Sequence, residues 1–155
     1  MTDPRPESEA LLTEIQDERL RRLFLYWRDK RGARRFPARA DIDPLDFGYV
    51  LGHVMLIDVT YEPLRFRFRL YGSALLDRNS AVDMTGKYLD EHARPEFRAY
   101  LRAEWAETVD RAAPTHGFFD RMIDDELRKF EVLRLPLSSD GQTIDMLLVC
   151  AVFNL

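Results

Sequence analysis

Leu64-Arg65-Phe66-Arg67-Phe68-Arg69-Leu70-Tyr71 alternates apolar and basic side chains along its length. A period of two sends successive side chains to opposite faces. The segment therefore predicts a half-buried β-strand, with Phe66, Phe68 and Leu70 on one face and Arg65, Arg67 and Arg69 on the other. Just upstream, Val54-Met55-Leu56-Ile57-Asp58-Val59 is a second short apolar run. Glu62-Pro63 supplies a turn between them, so the two strands are expected to pair as a hairpin. On an exposed face the three arginines would meet acids of neighbouring strands such as Asp58, Glu131 or Asp145, at about 0.2–1 kcal/mol per pair.

Working toward the amino terminus, residues 1–7 hold two prolines and few apolar side chains, which predicts a disordered tail. Ser8 is expected to cap a helix. Leu12, Ile15, Leu20, Leu23, Phe24 and Trp27 then recur at helical spacing, with a break near Gln16-Asp17 and a stop at Gly32. The stripe of Leu20, Leu23, Phe24 and Trp27 has to be buried, either on the chain's own sheet or against a second subunit. The second option makes this helix the candidate face of an isologous homodimer. Pro37 and Pro44 hold the following segment extended or turned, because proline fixes its own φ and biases its predecessor away from helix. Asp43 reads as the N-cap of a single turn with Pro44 at its first position. Asp41, with Arg39 or Arg35, reads as an ion pair or cap locking this joint. Residues 8–46 thus form a helix and joint, and residues 47–155 a sheet domain.

Toward the carboxyl terminus, Ser73 is placed to cap a short helix running to about Asn79, and Asp83 to Tyr88 reads as a loop. Phe97, Tyr100, Leu101, Trp105 and Val109 form one apolar stripe on a long helix from about Pro95 to Ala112. Strands follow over roughly Thr115–Ile123, Arg128–Leu137 and Thr143–Phe153, separated by Asp124-Asp125 and Ser138-Ser139-Asp140-Gly141, both of turn composition.

The chain has 155 residues, 46% of them hydrophobic, enough for one packed core. A net charge of -4 argues against nucleic acid as the partner overall. Between Arg19 and Arg39, however, nine basic residues face the single acid Asp29, so a regulator that touches nucleic acid through this run is the alternative reading. Charge runs are more often solvated or self-docked faces. Cys150 is the only cysteine and lies in the apolar run Met146–Val152, where a thiol acts as a small hydrophobe. No stretch approaches the roughly 20 apolar residues that span a bilayer, and the first residues lack a secretory core. A cytoplasmic location without membrane contact is expected.

Two strands, a run of helices and three strands is the element order of the PAS sensor fold. The wording also resembles a family of small stand-alone bacterial PAS-like proteins, the PAS_5 type. The residues that carry the resemblance are Tyr26-Trp27, Pro37-Ala38-Arg39-Ala40-Asp41-Ile42-Asp43-Pro44, the run from Val54, Arg69-Leu70-Tyr71-Gly72, Thr85-Gly86, and Leu135-Pro136-Leu137-Ser138 before Asp140-Gly141. Trp27, Pro37, Arg39, Asp41, Asp43, Arg69 and Gly72 are its structural motif, with Arg69 as an anchor. The resemblance implies an α+β fold: a PAS-like five-stranded antiparallel sheet with helices on one face, plus the N-terminal flanking amphipathic helix. It also implies a non-catalytic sensory or interaction role with a signalling protein as partner, and it leaves the ligand open.

In such a fold a small molecule would lie between the sheet and the long helix. Candidate lining residues are Tyr71, Tyr88, Trp105, His116, Phe118 and Arg134. Aromatic residues at element spacing also pack as plain core, and both readings stand at this point. No histidine pair has metal-site spacing, so no metal is expected. The long helix carries no histidine for haem, and Cys150 lies in the last strand, where it gives no support to a flavin adduct. The identity of any cofactor is therefore unknown. An enzyme is disfavoured: the chain has no glycine-rich phosphate loop and no nucleophile elbow, and His116 is the visible titratable candidate for a small α+β enzyme.

Overall fold

The computed structural model describes residues 5–75, 83–123 and 125–153. Two helices lead, α1 (Arg5–Glu14) and α2 (Glu18–Arg31). The break falls where the sequence placed it. Asp17 caps α2 by accepting the Arg19 amide at 2.8 Å, and the Gly32 amide closes the other end on the Arg28 and Asp29 carbonyls. The helical start is corrected: α1 begins at Arg5, and Ser8 lies inside it, buried, rather than at a cap. Of the expected tail, residues 1–4 lie outside the described residues.

The joint is a series of single 3-10 turns at Arg39–Asp41, Pro44–Phe47 and Leu51–His53. Asp43 accepts the Leu45 amide at 3.0 Å, so the cap and the proline behind it work as expected. Asp41 accepts the Ala38 amide at 2.8 Å, but its ionic partner is Arg34 at 2.9 Å, not Arg35 or Arg39. Arg39 instead donates to the Ile42 carbonyl.

Five strands follow, β1 (Val54–Thr60), β2 (Arg65–Tyr71), β3 (Thr115–Ile123), β4 (Glu126–Leu137) and β5 (Met146–Phe153), with helix α3 (Pro95–Arg111) between β2 and β3. They pair antiparallel in the order β2-β1-β5-β4-β3. The β1–β2 hairpin carries a bulge: Leu56 pairs with Leu70 and Ile57 with Phe68, leaving Arg69 extra. One extra residue reverses the alternation beyond it. Tyr71, not Leu70, therefore joins Phe66 and Phe68 on their face. The outer edge of β2 is covered by the segment before α3: the Phe68 amide donates to the Lys87 carbonyl and the Gly86 amide to the Phe68 carbonyl. A covered edge offers no template for pairing with another chain.

Both faces of the sheet are covered, which β4 and β5 show by burying nearly every residue from Phe130 to Leu137 and from Met146 to Val152. On one face lies α3, with Leu101 and Trp105 buried. On the other lie α1 and α2, whose Leu20, Leu23, Phe24 and Trp27 are at most 1% exposed within the single chain. This corrects the assignment of the stripe to a dimer face, because its side chains are packed in the chain's own core. Trp27 also donates its indole N–H to the Pro136 carbonyl at 2.9 Å, and the Ser138 amide donates to the Pro37 carbonyl at 3.0 Å. These two bonds fasten helix and joint to the end of β4.

A second fastening sits at the elbow between α1 and α2. Glu131, only 7% exposed, accepts the backbone amides of Gln16 and Asp17 at 2.8 Å each. His116 donates its Nε2 proton to the same carboxylate at 2.6 Å. A buried carboxylate is tolerable only with such bonding.

The glycine of the Arg69-to-Gly72 motif has a steric cause. A Cβ built on Gly72 would stand 2.3 Å from the Gly52 carbonyl oxygen and 2.9 Å from the Val54 nitrogen, backbone atoms that cannot swing aside. Gly72→Ala is expected to lower the unfolding free energy by about 2 kcal/mol or more, in the range of overpacking. Gly52→Ala, whose nearest neighbour is the Ala74 Cβ at 3.6 Å, should cost far less; equal denaturation midpoints for the two would contradict this. Glu131→Gln should cost about 1–3 kcal/mol. In hydrogen exchange the Gln16 and Asp17 amides should lose protection before the β4–β5 ladder does.

Candidate functional site

Alternation along the strands decides which side chains meet α3. Phe119 pairs with Phe130, Gly117 with Val132 and Thr115 with Arg134 across β3 and β4, and Val132 pairs with Ala151 and Arg134 with Val149 across β4 and β5. These residues share one face with Met55 and Tyr71, and all of them but Thr115 and Gly117 line, with Trp105, Leu101, Tyr100 and Phe97 of α3, a cavity of about 20 Å³. That is room for about one water, far below the roughly 300 Å³ of an open ligand site. Its floor is buried. Its rim is made by the half-buried Phe97, Tyr100 and Arg121.

Of the six candidate residues, three line this cavity: Tyr71, Trp105 and Arg134. The other three do not. Tyr88 lies at the covered edge of β2, under the Arg65 guanidinium at 3.6 Å. His116 and Phe118 occupy the opposite face of β3, His116 bonded to Glu131 and Phe118 43% exposed. Arg121, which the sequence reading overlooked, joins the site through its Phe119 parity and lies over the Phe97 ring at 4.8 Å.

The polar groups here are mostly donors. Arg134, 2% exposed, reaches Glu104 at 3.3 Å, the Thr115 hydroxyl at 3.5 Å and the Tyr100 hydroxyl at 3.5 Å. Arg121 donates from Nη1 to the Leu75 carbonyl at 3.1 Å. Its Nε, and the indole Nε1 of Trp105, are buried with no hydrogen-bond partner among the described residues. Burial, outweighing the neighbouring Arg134, raises the Tyr100 hydroxyl above its ordinary pKa. At the rim, burial and then the nearby Arg121 lower the pKa of His92, which rests on Phe97 with ring centroids 5.2 Å apart.

The basic run is largely engaged within the chain. Arg19 pairs with Asp17, Arg28 with Glu9 and Arg34 with Asp41, each at 2.9 Å; Arg22 lies 3.8 Å over the Tyr49 ring, and Arg31 is buried against Trp27. On β2, Arg69 pairs with Asp58 and Arg65 with Asp90, each at 3.0 Å. Arg69 is 60% exposed, so its pair is a surface contact of small energy. Tyr26 anchors the joint: its hydroxyl donates to Asp46 at 2.7 Å and accepts the Asp43 amide at 3.0 Å, and burial chiefly pushes its pKa up to about 12. Cys150 lies on the sheet face away from the cavity, fully buried, and burial pushes its thiol well above the ordinary range. Among the described residues no cluster of acids, histidines and cysteines could hold a metal ion, and no helix is long and apolar enough to cross a membrane.

Comparison with known proteins finds no curated protein that matches. Among solved structures, a chain described as a structure of RsLOV is similar, with a TM-score of 0.44 and 12% identity over 64% of this chain and 58% of that one. The likeness thus spans less than two thirds of that chain. A family model, PAS_5, described as PAS domain, matches residues 15–151. With that match running from the α1–α2 elbow into the last strand, the chain belongs to the PAS_5 family of PAS domains.

Proposed function

We propose that the protein is a non-catalytic sensory module that takes a small molecule between its sheet and α3 and passes the change in α3 to a protein partner. The single observation that carries the reading is the cavity itself: a small aromatic enclosure lined by Trp105 and Arg121, whose indole and guanidinium each hold a buried N–H without an acceptor among the described residues. A buried unpaired donor costs about 1–3 kcal/mol, and a chain that keeps two beside one cavity is set up for an acceptor from outside. Family membership supports a sensory or ligand-binding role at the coarse level. His116, the residue on which an enzyme reading leaned, is turned away from the cavity and held by Glu131. The engagement of the basic run likewise leaves the nucleic-acid reading without a specific observation in its favour.

The cavity is too small as it stands, so binding must displace the rim. This makes occupancy mechanical, because Phe97 and Tyr100 belong to α3. A thermal-shift screen of small aromatic compounds, followed by native mass spectrometry of the hits, is expected to give a saturable one-to-one complex. Ala151→Leu, which fills the floor, should keep the fold and lose the complex. If no compound binds the wild type, or if Ala151→Leu binds equally well, the reading fails.

A further inference from the structure

The cavity wall has a bias of charge as well as of hydrogen bonding. Two of its lining residues are arginines. A guanidinium presents five N–H donors, yet Arg134 meets its partners only at 3.3 Å or more, beyond the roughly 2.7–2.9 Å of a strong charge-assisted bond. The one acid it reaches, Glu104, comes from α3 and is about a third exposed. Glu104 is therefore a loose partner with a path to water, set against a cation that has none. The rest of the wall is flat and apolar: Phe119 stacks on Phe130 with centroids 5.1 Å apart and planes within 7°, and Tyr100 leans on Phe119 at 5.3 Å.

Resting on the reading of the cavity as a ligand site, we propose that its ligand class is a small flat monocarboxylate. Its carboxylate displaces Glu104 from Arg134, and its ring lies among Tyr100, Phe119 and Phe130. A carboxylate matches the guanidinium fork with two parallel bonds, which Glu104 does not make. The unpaired Nε of Arg121 and Nε1 of Trp105 supply further donors around the same space. A neutral isostere would bring the same ring but leave the buried cation no better satisfied. Glu104, released, turns to solvent, and α3 loses its ionic tie to β4. Ligand binding and displacement of α3 then share one switch, and the ligand shifts the helix only by as much as it outcompetes Glu104.

The full chain titrated with benzoate and, separately, with its neutral isostere benzamide tests this, with binding read by tryptophan fluorescence and by the indole and arginine Nε signals in nitrogen-resolved NMR. Benzoate is expected to bind at least tenfold tighter than benzamide and to shift the Trp105 and Arg121 signals. Arg134→Met should abolish the preference. Should that variant fail to fold, Glu104→Gln, at a partly exposed position, should tighten benzoate severalfold and leave benzamide unchanged. Equal binding of the two probes would overturn the carboxylate class while leaving the cavity a ligand site. Benzoate shifts confined to surface arginines, or unchanged benzoate affinity in Glu104→Gln, would also overturn it. If neither probe binds while a neutral hit from the screen does, the anion proposal alone falls; if nothing binds at all, both fall.

Discussion

A carboxylate with almost no access to water holds the N-terminal layer to the sheet. Glu131 accepts two consecutive backbone amides at the turn between α1 and α2, and a third bond from His116. Those amides lie where a helix has ended and the next has not begun, so no backbone carbonyl would otherwise receive them. Without an acceptor from the sheet, the elbow would have to face water, and the stripe of Leu20, Leu23, Phe24 and Trp27 would be drawn off the core with it. The carboxylate in turn is tolerable only because it is so fully bonded. Each side of the contact makes the other's burial acceptable.

Three residues along the same strand, Arg134 projects to the opposite face and reaches Glu104 on α3. Strand β4 thus carries one ionisable anchor for each helical layer, and its Pro136 carbonyl receives Trp27 as well. The two anchors differ in quality. The bonds of Glu131 are 2.6–2.8 Å long and its partners are backbone amides or a buried imidazole. Those of Arg134 are 3.3–3.5 Å long, and its acid is partly in water. Of the two ionisable anchors on β4, the one that holds the N-terminal layer is therefore the stronger, while α3 is held mainly by its buried Trp105 and Leu101 and by the Thr108–Thr115 bond.

How much of this was legible depended on whether the signal was local. The alternation from Arg65 to Phe68, the Asp43-Pro44 cap, the break at Gln16-Asp17 and the element order are nearest-neighbour patterns, and the structure bears each of them out. The unbroken apolar run in β5 also announced two covered faces, since a strand with one wet face alternates. That signal would have placed α2 on the sheet rather than at a subunit contact. What sequence could not supply was register. His116, Phe118, Phe119 and Arg121 all lie on one strand, and only the pairing of Phe119 with Phe130 tells which parity meets α3. The bulge at Arg69 is equally silent, because an inserted residue has no signature in an alternating arginine run; it moved Tyr71 onto the cavity side and Leu70 off it. Glu131 was legible only as an acid on a strand, because its two backbone partners lie more than a hundred residues away.

Departures from simple core rules occur at Arg31, His53 and Arg128, but two others, at Trp105 and Arg121, meet at the α3 cavity. Several buried polar groups are well bonded: Trp27 has the Pro136 carbonyl, Thr108 and Thr115 share a bond of 2.6 Å, and Glu131 accepts three bonds. Around the α3 cavity, by contrast, an indole N–H and a guanidinium N–H go without acceptors, and a second guanidinium is held at long range. If stability alone set these positions, a leucine or methionine would remove the unmet donors and fill the gap as well. Two of the five buried side-chain nitrogens without a partner among the described residues thus belong to residues that line one cavity, where an external acceptor would relieve them. Those two donors and the long bonds of Arg134, more than the cavity's present size, are the physical argument for reading the α3 side as the working side.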